Sequence, residues 1–216
     1  MLIIFDVEGV LLNAEYLPVL ASLMGPEKEK EIWEITNKGI RGEIDWEEGL
    51  KERVYALRGI NYNQAYQIAQ NLEIMPGAKK LCSFLKKAGW KMIAVSGGFT
   101  IITERLIQEL EIDKIFSNEL IFEDNKLKDV KISVTSDKSL AVKSFIDKHG
   151  FKPEETVVVV DGANDLKLFN LSSFTVGFCP VNIVKQKANI VIDKKNLEEL
   201  IPILKNKFKT LENYHE

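Results

Sequence analysis

Residues 1–12 read MLIIFDVEGVLL. Four apolar residues, Leu2 to Phe5, run directly into Asp6, and Glu8, Gly9 and a second apolar run from Val10 to Leu12 follow. A short, unbroken apolar run fits a strand covered on both faces, as in a parallel sheet. Two carboxylates at the end of such a strand pose a question. Burying charge costs several kcal/mol unless a partner of opposite sign is close. Either the acids mark where the strand surfaces, or a cation meets them.

The same style of run recurs at Met92–Val95, Val157–Val160 and Ile190–Ile192. Helical patterns lie between, over 77–88, 101–110, 139–149 and 197–208, with Gly89 and Gly150 placed as caps. Strands alternating with helices indicate an α/β fold, a doubly wound parallel sheet. Residues 14–74 break the rhythm. They hold no clear apolar strand and read as three or four helices, with loops at Gly25-Pro26, Gly39–Gly42 and Gly59–Asn63. Asp45 and Glu48 have the spacing of a capping box that opens a helix to about Leu57. The expected organisation is a Rossmann-like core of residues 1–13 and 75–216, with residues 14–74 inserted as a helical cap. Leu120–Phe122, Glu123-Asp124-Asn125 and Lys126-Leu127 suggest a small β-hairpin. The polar residues 210–216 are expected to fray.

The chain has 216 residues, with 29 basic and 32 acidic side chains and a net charge of -3. This near-balance gives no electrostatic case for nucleic acid or a membrane surface. Cys82 and Cys179 lack metal-ligand spacing and read as two buried intracellular thiols. No apolar run reaches membrane-spanning length, and the N-terminus lacks a basic leader region, so a cytoplasmic location is expected.

Ligands of doubly wound folds sit beyond the carboxyl ends of the strands. There the sequence places Asp6-Val7-Glu8-Gly9, then Ser96-Gly97-Gly98, then Asp161-Gly162-Ala163-Asn164-Asp165. Carboxylates gathered in one place must bind a proton or share a cation. An all-oxygen set points to magnesium. The Ser-Gly-Gly segment reads as a turn before a helix, where N–H groups suit an anion. Lys138, in the first turn of a helix starting near Ser136, opposes the helix dipole, which makes sense if it faces phosphate and carboxylates. A solvated lysine is the rival reading, and Lys131 or Lys143 takes the role if the helix starts elsewhere. Adjacent cation and anion sites suggest phosphoryl transfer.

FDVEG, SGG, a lysine opening a helix and DGAND, in this order, resemble the four motifs of the haloacid dehalogenase superfamily of phosphohydrolases. The stretches VSGGF and DGAND are similar to its phosphoserine phosphatase branch. The resemblance implies that Asp6 attacks phosphorus and forms an aspartyl-phosphate, while Glu8 is general acid and base. It implies that Ser96, Gly97 and Lys138 hold the phosphoryl oxygens. Magnesium would be bound by Asp6, Asp161 and Glu8, the last through its backbone carbonyl. Asn164 and Asp165 would orient phosphate, metal-bound water and Lys138. The branch usually carries Asp where Glu8 stands. The Asp-x-Glu-Gly-Val version resembles phosphoserine:homoserine phosphotransferases, so transfer to homoserine stands beside hydrolysis. Another small phosphomonoester is a further alternative.

Trp46, Leu50, Arg53, Val54 and Leu57 fall on one helical stripe. From the pattern alone, Arg53 in that stripe reads first as an arginine snorkelling from a cap core. The resemblance implies that Glu15 pairs with a substrate ammonium and Arg53 with its carboxylate, and that Ile40 and Trp46 wall the pocket. The implied partner is a small phosphorylated metabolite, phosphoserine first, acted on by a monomer or homodimer. A different class also phosphorylates an aspartate beside magnesium: the receiver-type signalling domain. Receivers are smaller, carry the phosphoacceptor on a middle strand of the sequence and lack an inserted helical block.

Overall fold

The structure is a computed structural model, and it describes residues 1–208. Seven strands form one sheet: β1 (Leu2–Phe5), β2 (Lys91–Phe99), β3 (Lys114–Glu123), β4 (Lys126–Lys131), β5 (Thr156–Val160), β6 (Phe174–Phe178) and β7 (Ile190–Ile192). Their order is β4-β3-β2-β1-β5-β6-β7. All neighbours are parallel except β3 and β4, which form an antiparallel hairpin. The helices are α1 (Tyr16–Ala21), α2 (Pro26–Ile40), α3 (Trp46–Ala56), α4 (Tyr62–Asn71), α5 (Ala78–Lys87), α6 (Thr100–Glu109), α7 (Lys138–His149), α8 (Asn182–Lys187) and α9 (Leu200–Lys207).

The central strands are apolar on both faces because each face has its own core. Ile3 and Phe5 of β1 join Met92, Ala94, Val157 and Val159 in one buried cluster. Leu2 and Ile4 join Ile93, Val95, Val158 and Val160 in the other. This alternation with period two explains the unbroken apolar runs. Phe5 pairs with Ala94 of β2 and with Val159 of β5. Asp6, Ser96 and Asp161 therefore emerge within one residue of the same level on three adjacent strands.

Helices α1 to α4 all lie between β1 and α5 in the chain. The two connections to this block run side by side. Asn13 N–H donates to the Glu73 carbonyl at 2.8 Å, and Met75 N–H to the Leu11 carbonyl at 2.9 Å.

Several sequence expectations are corrected. Ser96-Gly97-Gly98 is not a turn but the last part of β2, which continues in shifted register to Phe99. Asn118 explains this, because its side-chain amide donates to the Gly97 carbonyl at 3.0 Å and keeps the segment extended. The hairpin is larger than expected, since β3 starts at Lys114 and belongs to the main sheet. Strand β6 and helix α8 had no sequence expectation. Cys82 is buried, but Cys179 is exposed: it follows β6 in a left-handed conformation (φ 45°) that brings it out of the sheet. The polar tail, 210–216, lies outside the described residues.

Asp113, just before β3, ties that strand to β2. Its carboxylate accepts from Lys91 Nζ at 2.7 Å and from Met92 N–H at 2.8 Å. Burial would raise its pKa, but the Lys91 and Met92 hydrogen bonds outweigh burial and hold it below the ordinary value. A depressed folded-state pKa gives stability that is present above the unfolded value and lost as pH falls through the folded one. Asp113→Ala is expected to lower unfolding free energy by about 1–2 kcal/mol at pH 7. In urea titrations the gap to the parent protein narrows as the pH drops below 4, roughly the unfolded carboxylate value.

Candidate active site

The three strand ends and α7 close around one small space. Asp6, Glu8, Glu15, Ile40, Trp46, Ser96, Gly97, Lys138, Asp161 and Asn164 line a cavity of about 10 Å³, the size of a single water. Asp6 is 5 % exposed, Ser96 1 %, Lys138 2 % and Asp165 1 %.

Lys138 is the first residue of α7, with Asp137 as N-cap accepting from Ser139 N–H at 3.2 Å. Its Nζ stands 2.7 Å from Asp6 Oδ1 and 2.5 Å from Asp165 Oδ1. Burial alone would lower the Lys138 pKa, but the charges of Asp165 and Asp6 override it and the net direction is upward. The lysine is therefore a fixed cation between two carboxylates. Asp6, Asp161 and Asp165 each present an oxygen within 4.8 Å of the others. Gly9 allows this closeness. Its φ is +81°, and a Cβ there would lie 2.2 Å from Asp161 Oδ2.

The remaining acids show the cost of crowding. Burial pushes Glu8 up to about 7, aided by the charge of Asp6 and opposed by the Tyr16 N–H, Arg53 and Lys138. Burial likewise pushes Asp165 up to about 7, with the charge of Asp6 adding to it. Asp161 and Glu15 are raised well above their ordinary values, by burial first and by neighbouring carboxylates second. One lysine does not neutralise this set. The donors are all oxygens, they are within reach of one another, and they carry surplus negative charge. That combination fits a hard divalent cation such as magnesium.

Glu8 differs from the other acids in where it points. Its Oε1 accepts the Tyr16 N–H at the start of α1 at 2.7 Å. Ser96 Oγ accepts the Gly98 N–H at 2.9 Å, so the hydroxyl is held at the strand end. Arg53 does not line the cavity. It is 3 % exposed and donates to the Gly49 carbonyl at 3.0 Å and to Thr36 Oγ1 at 2.9 Å. Its guanidinium covers the Trp46 ring, 4.7 Å from the centroid, and its charge acts on Glu15 and Glu8.

Two contributors had no sequence expectation. Asn118 is fully buried, and its Oδ1 accepts from Ser133 and Val134 N–H at 2.8 Å each while its amide holds Gly97. It links the Ser96–Gly98 strand end to the segment leading into α7. A lone asparagine in the apolar-rich run of β3 was the available signal. Tyr16 supplies the N–H that fixes Glu8, and a backbone donor leaves no mark in sequence.

A family model of haloacid dehalogenase-like hydrolases matches residues 1–170. The chain belongs to this family. It is 36 % identical over 207 residues to a phosphoserine phosphatase of Archaeoglobus fulgidus, covering 94 % of this chain and 60 % of that one. It is 35 % identical over 203 residues to a phosphoserine phosphatase of Wolinella succinogenes, covering 93 % of this chain and 98 % of that one. Among solved structures, a phospho-aspartyl intermediate analogue of phosphoserine phosphatase superposes with a TM-score of 0.89. That likeness is at 32 % identity and covers 94 % of this chain and 97 % of that one. No helix among the described residues is long and apolar enough to cross a membrane.

The Lys138 contacts generate a stability test. Removing the ammonium leaves Asp6 and Asp165 buried without a counter-charge. Lys138→Met is expected to cost about 3–5 kcal/mol in urea unfolding at pH 7.5. Adding Asp165→Asn to it recovers part of that loss, and a strictly additive double variant would show that the two side chains are not coupled.

Proposed function

We propose that the protein is a magnesium-dependent phosphomonoester hydrolase that works through an aspartyl-phosphate on Asp6 and whose preferred substrate is O-phosphoserine. The observation that carries this reading is the Lys138 bridge between Asp6 and Asp165, beside Asp161 and at the level of Ser96. Such a bridge sets a cation against the buried Asp6 carboxylate, the group that attacks phosphorus in this reading. The phosphoserine phosphatases it resembles over nearly its whole length support the choice of substrate.

In this reading Asp6 Oδ attacks phosphorus, a phosphorus–oxygen bond forms, and the ester bond to the leaving alcohol breaks. Glu8 donates a proton to that alcohol, then takes one from the water that hydrolyses the acyl-phosphate. Ser96, the Gly97 N–H and Lys138 hold the phosphoryl oxygens where charge accumulates. Asp6, Asp161 and the Glu8 carbonyl would hold magnesium, which would supply positive charge against the phosphate and the carboxylates. Asn164 orients the phosphoryl group, and Asp165 holds Lys138 from behind.

Residues 14–74 are proposed as the cap that selects the substrate. Glu15 faces the ammonium of phosphoserine, Arg53 supplies the charge for its carboxylate, and Ile40 contacts its methylene. The receiver-type alternative loses its footing: the chain belongs to a hydrolase family, and four helices are inserted after the strand that carries Asp6. We place the reaction in the cytoplasm, where a small phosphorylated metabolite is met.

A phosphate-release screen over many phosphomonoesters tests the reading, run with and without magnesium and with homoserine added. Phosphoserine is expected to lead, activity to require the metal, and Asp6→Asn to be inactive. A lead by sugar phosphates would overturn the substrate, and turnover by Asp6→Asn would overturn the mechanism. Faster loss of phosphoserine with homoserine, without matching phosphate release, marks transfer instead of hydrolysis.

Arg53 is tested separately. Arg53→Ala is expected to raise KM for phosphoserine roughly tenfold more than KM for p-nitrophenyl phosphate, which has no carboxylate. Equal effects on the two would remove the arginine from substrate selection.

A further inference from the structure

Trp46 is the first residue of α3, and its indole is gripped from several sides. A Cβ on Gly39 of α2 would lie 2.9 Å from Trp46 Cε3, so the six-membered ring rests on that helix. A Cβ on Gly97 would lie 2.1 Å from Trp46 Nε1, so the N–H edge rests on the end of β2. The Arg53 guanidinium covers one face. The first turn of α3 is itself anchored to the segment before α7. Ser136 Oγ donates to Asp45 Oδ2 at 2.7 Å and accepts from Glu47 N–H at 3.1 Å, while Asp45 Oδ1 caps Glu48 N–H at 3.0 Å.

The indole is thus oriented by elements on both sides of the cavity, yet its one polar atom has no use in the protein. Trp46 is 8 % exposed, and its Nε1 is buried without a hydrogen-bond partner. Buried donors are normally paired, and an indole N–H can only donate. The missing partner must be an acceptor. The N–H edge lies beside Gly97, on a cavity shared with Lys138 and Ser96, groups suited to an anion. An apolar wall alone would be served by phenylalanine at this position.

We propose that the Trp46 indole N–H donates a hydrogen bond to an oxygen of the bound phosphoryl group, beside the Gly97 N–H and Lys138. This rests on the phosphohydrolase reading and deepens it. The tryptophan reads the part common to all phosphomonoesters, not the part that distinguishes phosphoserine.

Trp46→Phe keeps an aromatic ring under Arg53 and removes the donor. The inhibition constant for inorganic phosphate is expected to rise roughly tenfold, and kcat/KM to fall by about tenfold or more. The loss is the same for phosphoserine and p-nitrophenyl phosphate, unlike the selective loss proposed for Arg53→Ala. A merely structural wall predicts phosphate affinity within about twofold of the parent.

Wild-type protein gives a second readout that does not depend on the variant folding. In ¹⁵N-labelled protein, phosphate titration is expected to move one indole N–H resonance downfield. Neither Trp33 nor Trp90 lines the cavity, so that resonance belongs to Trp46. Indole signals unmoved at saturating phosphate, or no phosphate binding at all, would overturn the donor role. If phosphate binds and shifts the indole while no phosphomonoester is turned over, the donor role stands and the hydrolase reading falls.

Discussion

One ammonium organises the centre of this protein. Lys138 reaches two carboxylates, on the ends of β1 and of the segment after β5, from the first turn of a helix whose dipole disfavours it. Its position makes sense only through the charges it meets. Even so, the balance remains negative. Asp6, Glu8, Glu15, Asp161 and Asp165 are gathered within reach of two cations, Lys138 and Arg53, and four of the five acids are held above their ordinary pKa. Surplus negative charge in a closed space is relieved by protons or by a metal ion. In the proposed reading a phosphate dianion would need a cation to accompany it into such a site, which would couple metal and substrate by electrostatics before any chemistry.

The sheet turns this electrostatic requirement into geometry. Three neighbouring parallel strands in near-equal register put Asp6, Ser96 and Asp161 at one level. Packing on both faces keeps those strands from moving. The helical block supplies what the sheet does not: Glu15, Ile40 and Trp46 on the far wall. Together with the strand ends they enclose a cavity of about 10 Å³. The block is joined to the core by the paired connections at Asn13–Glu73 and Leu11–Met75, by Gly59 N–H on the Leu127 carbonyl and Tyr62 N–H on the Asn125 carbonyl of the β3–β4 hairpin, and by the Ser136–Asp45 hydrogen bond, which joins α3 to the approach to Lys138.

Much of this was readable from residue order because the physics was local. β1, the start of β2 and β5 announced themselves as apolar runs, since both of their faces are buried, and β7 did so although Ile190 and Val191 are only partly buried. Gly89 and Gly150 marked helix ends through backbone conformations that favour glycine, with φ of 73° and 68°. The motif residues met in one cavity because strand ends in this topology must converge. What escaped depended on distant partners. Strand β6 reads FTVGF, and its Thr175 and Gly177 dilute the apolar signal, while its burial comes from β5 and β7. Ser96-Gly97-Gly98 carries every mark of a turn, and only Asn118, from the next strand, holds it extended. Cys179 looked like a core thiol because nothing in its neighbours foretells the turn that exposes it.

Glu8 shows why a longer acid suits this position. Two residues past Asp6 the chain carries a glutamate, one methylene longer than an aspartate. That length is used: the carboxylate reaches the Tyr16 N–H, the first of α1, at 2.7 Å. Tyr16 in turn is anchored deeper in the block, its hydroxyl donating to the Ala65 carbonyl of α4 at 2.9 Å. The acid is thus hydrogen-bonded to the inserted block while its backbone belongs to the strand end. Burial in that position favours its proton, and the Tyr16 N–H, Arg53 and Lys138 oppose it. An aspartate, one carbon shorter, would not bridge the strand end and the block in the same way.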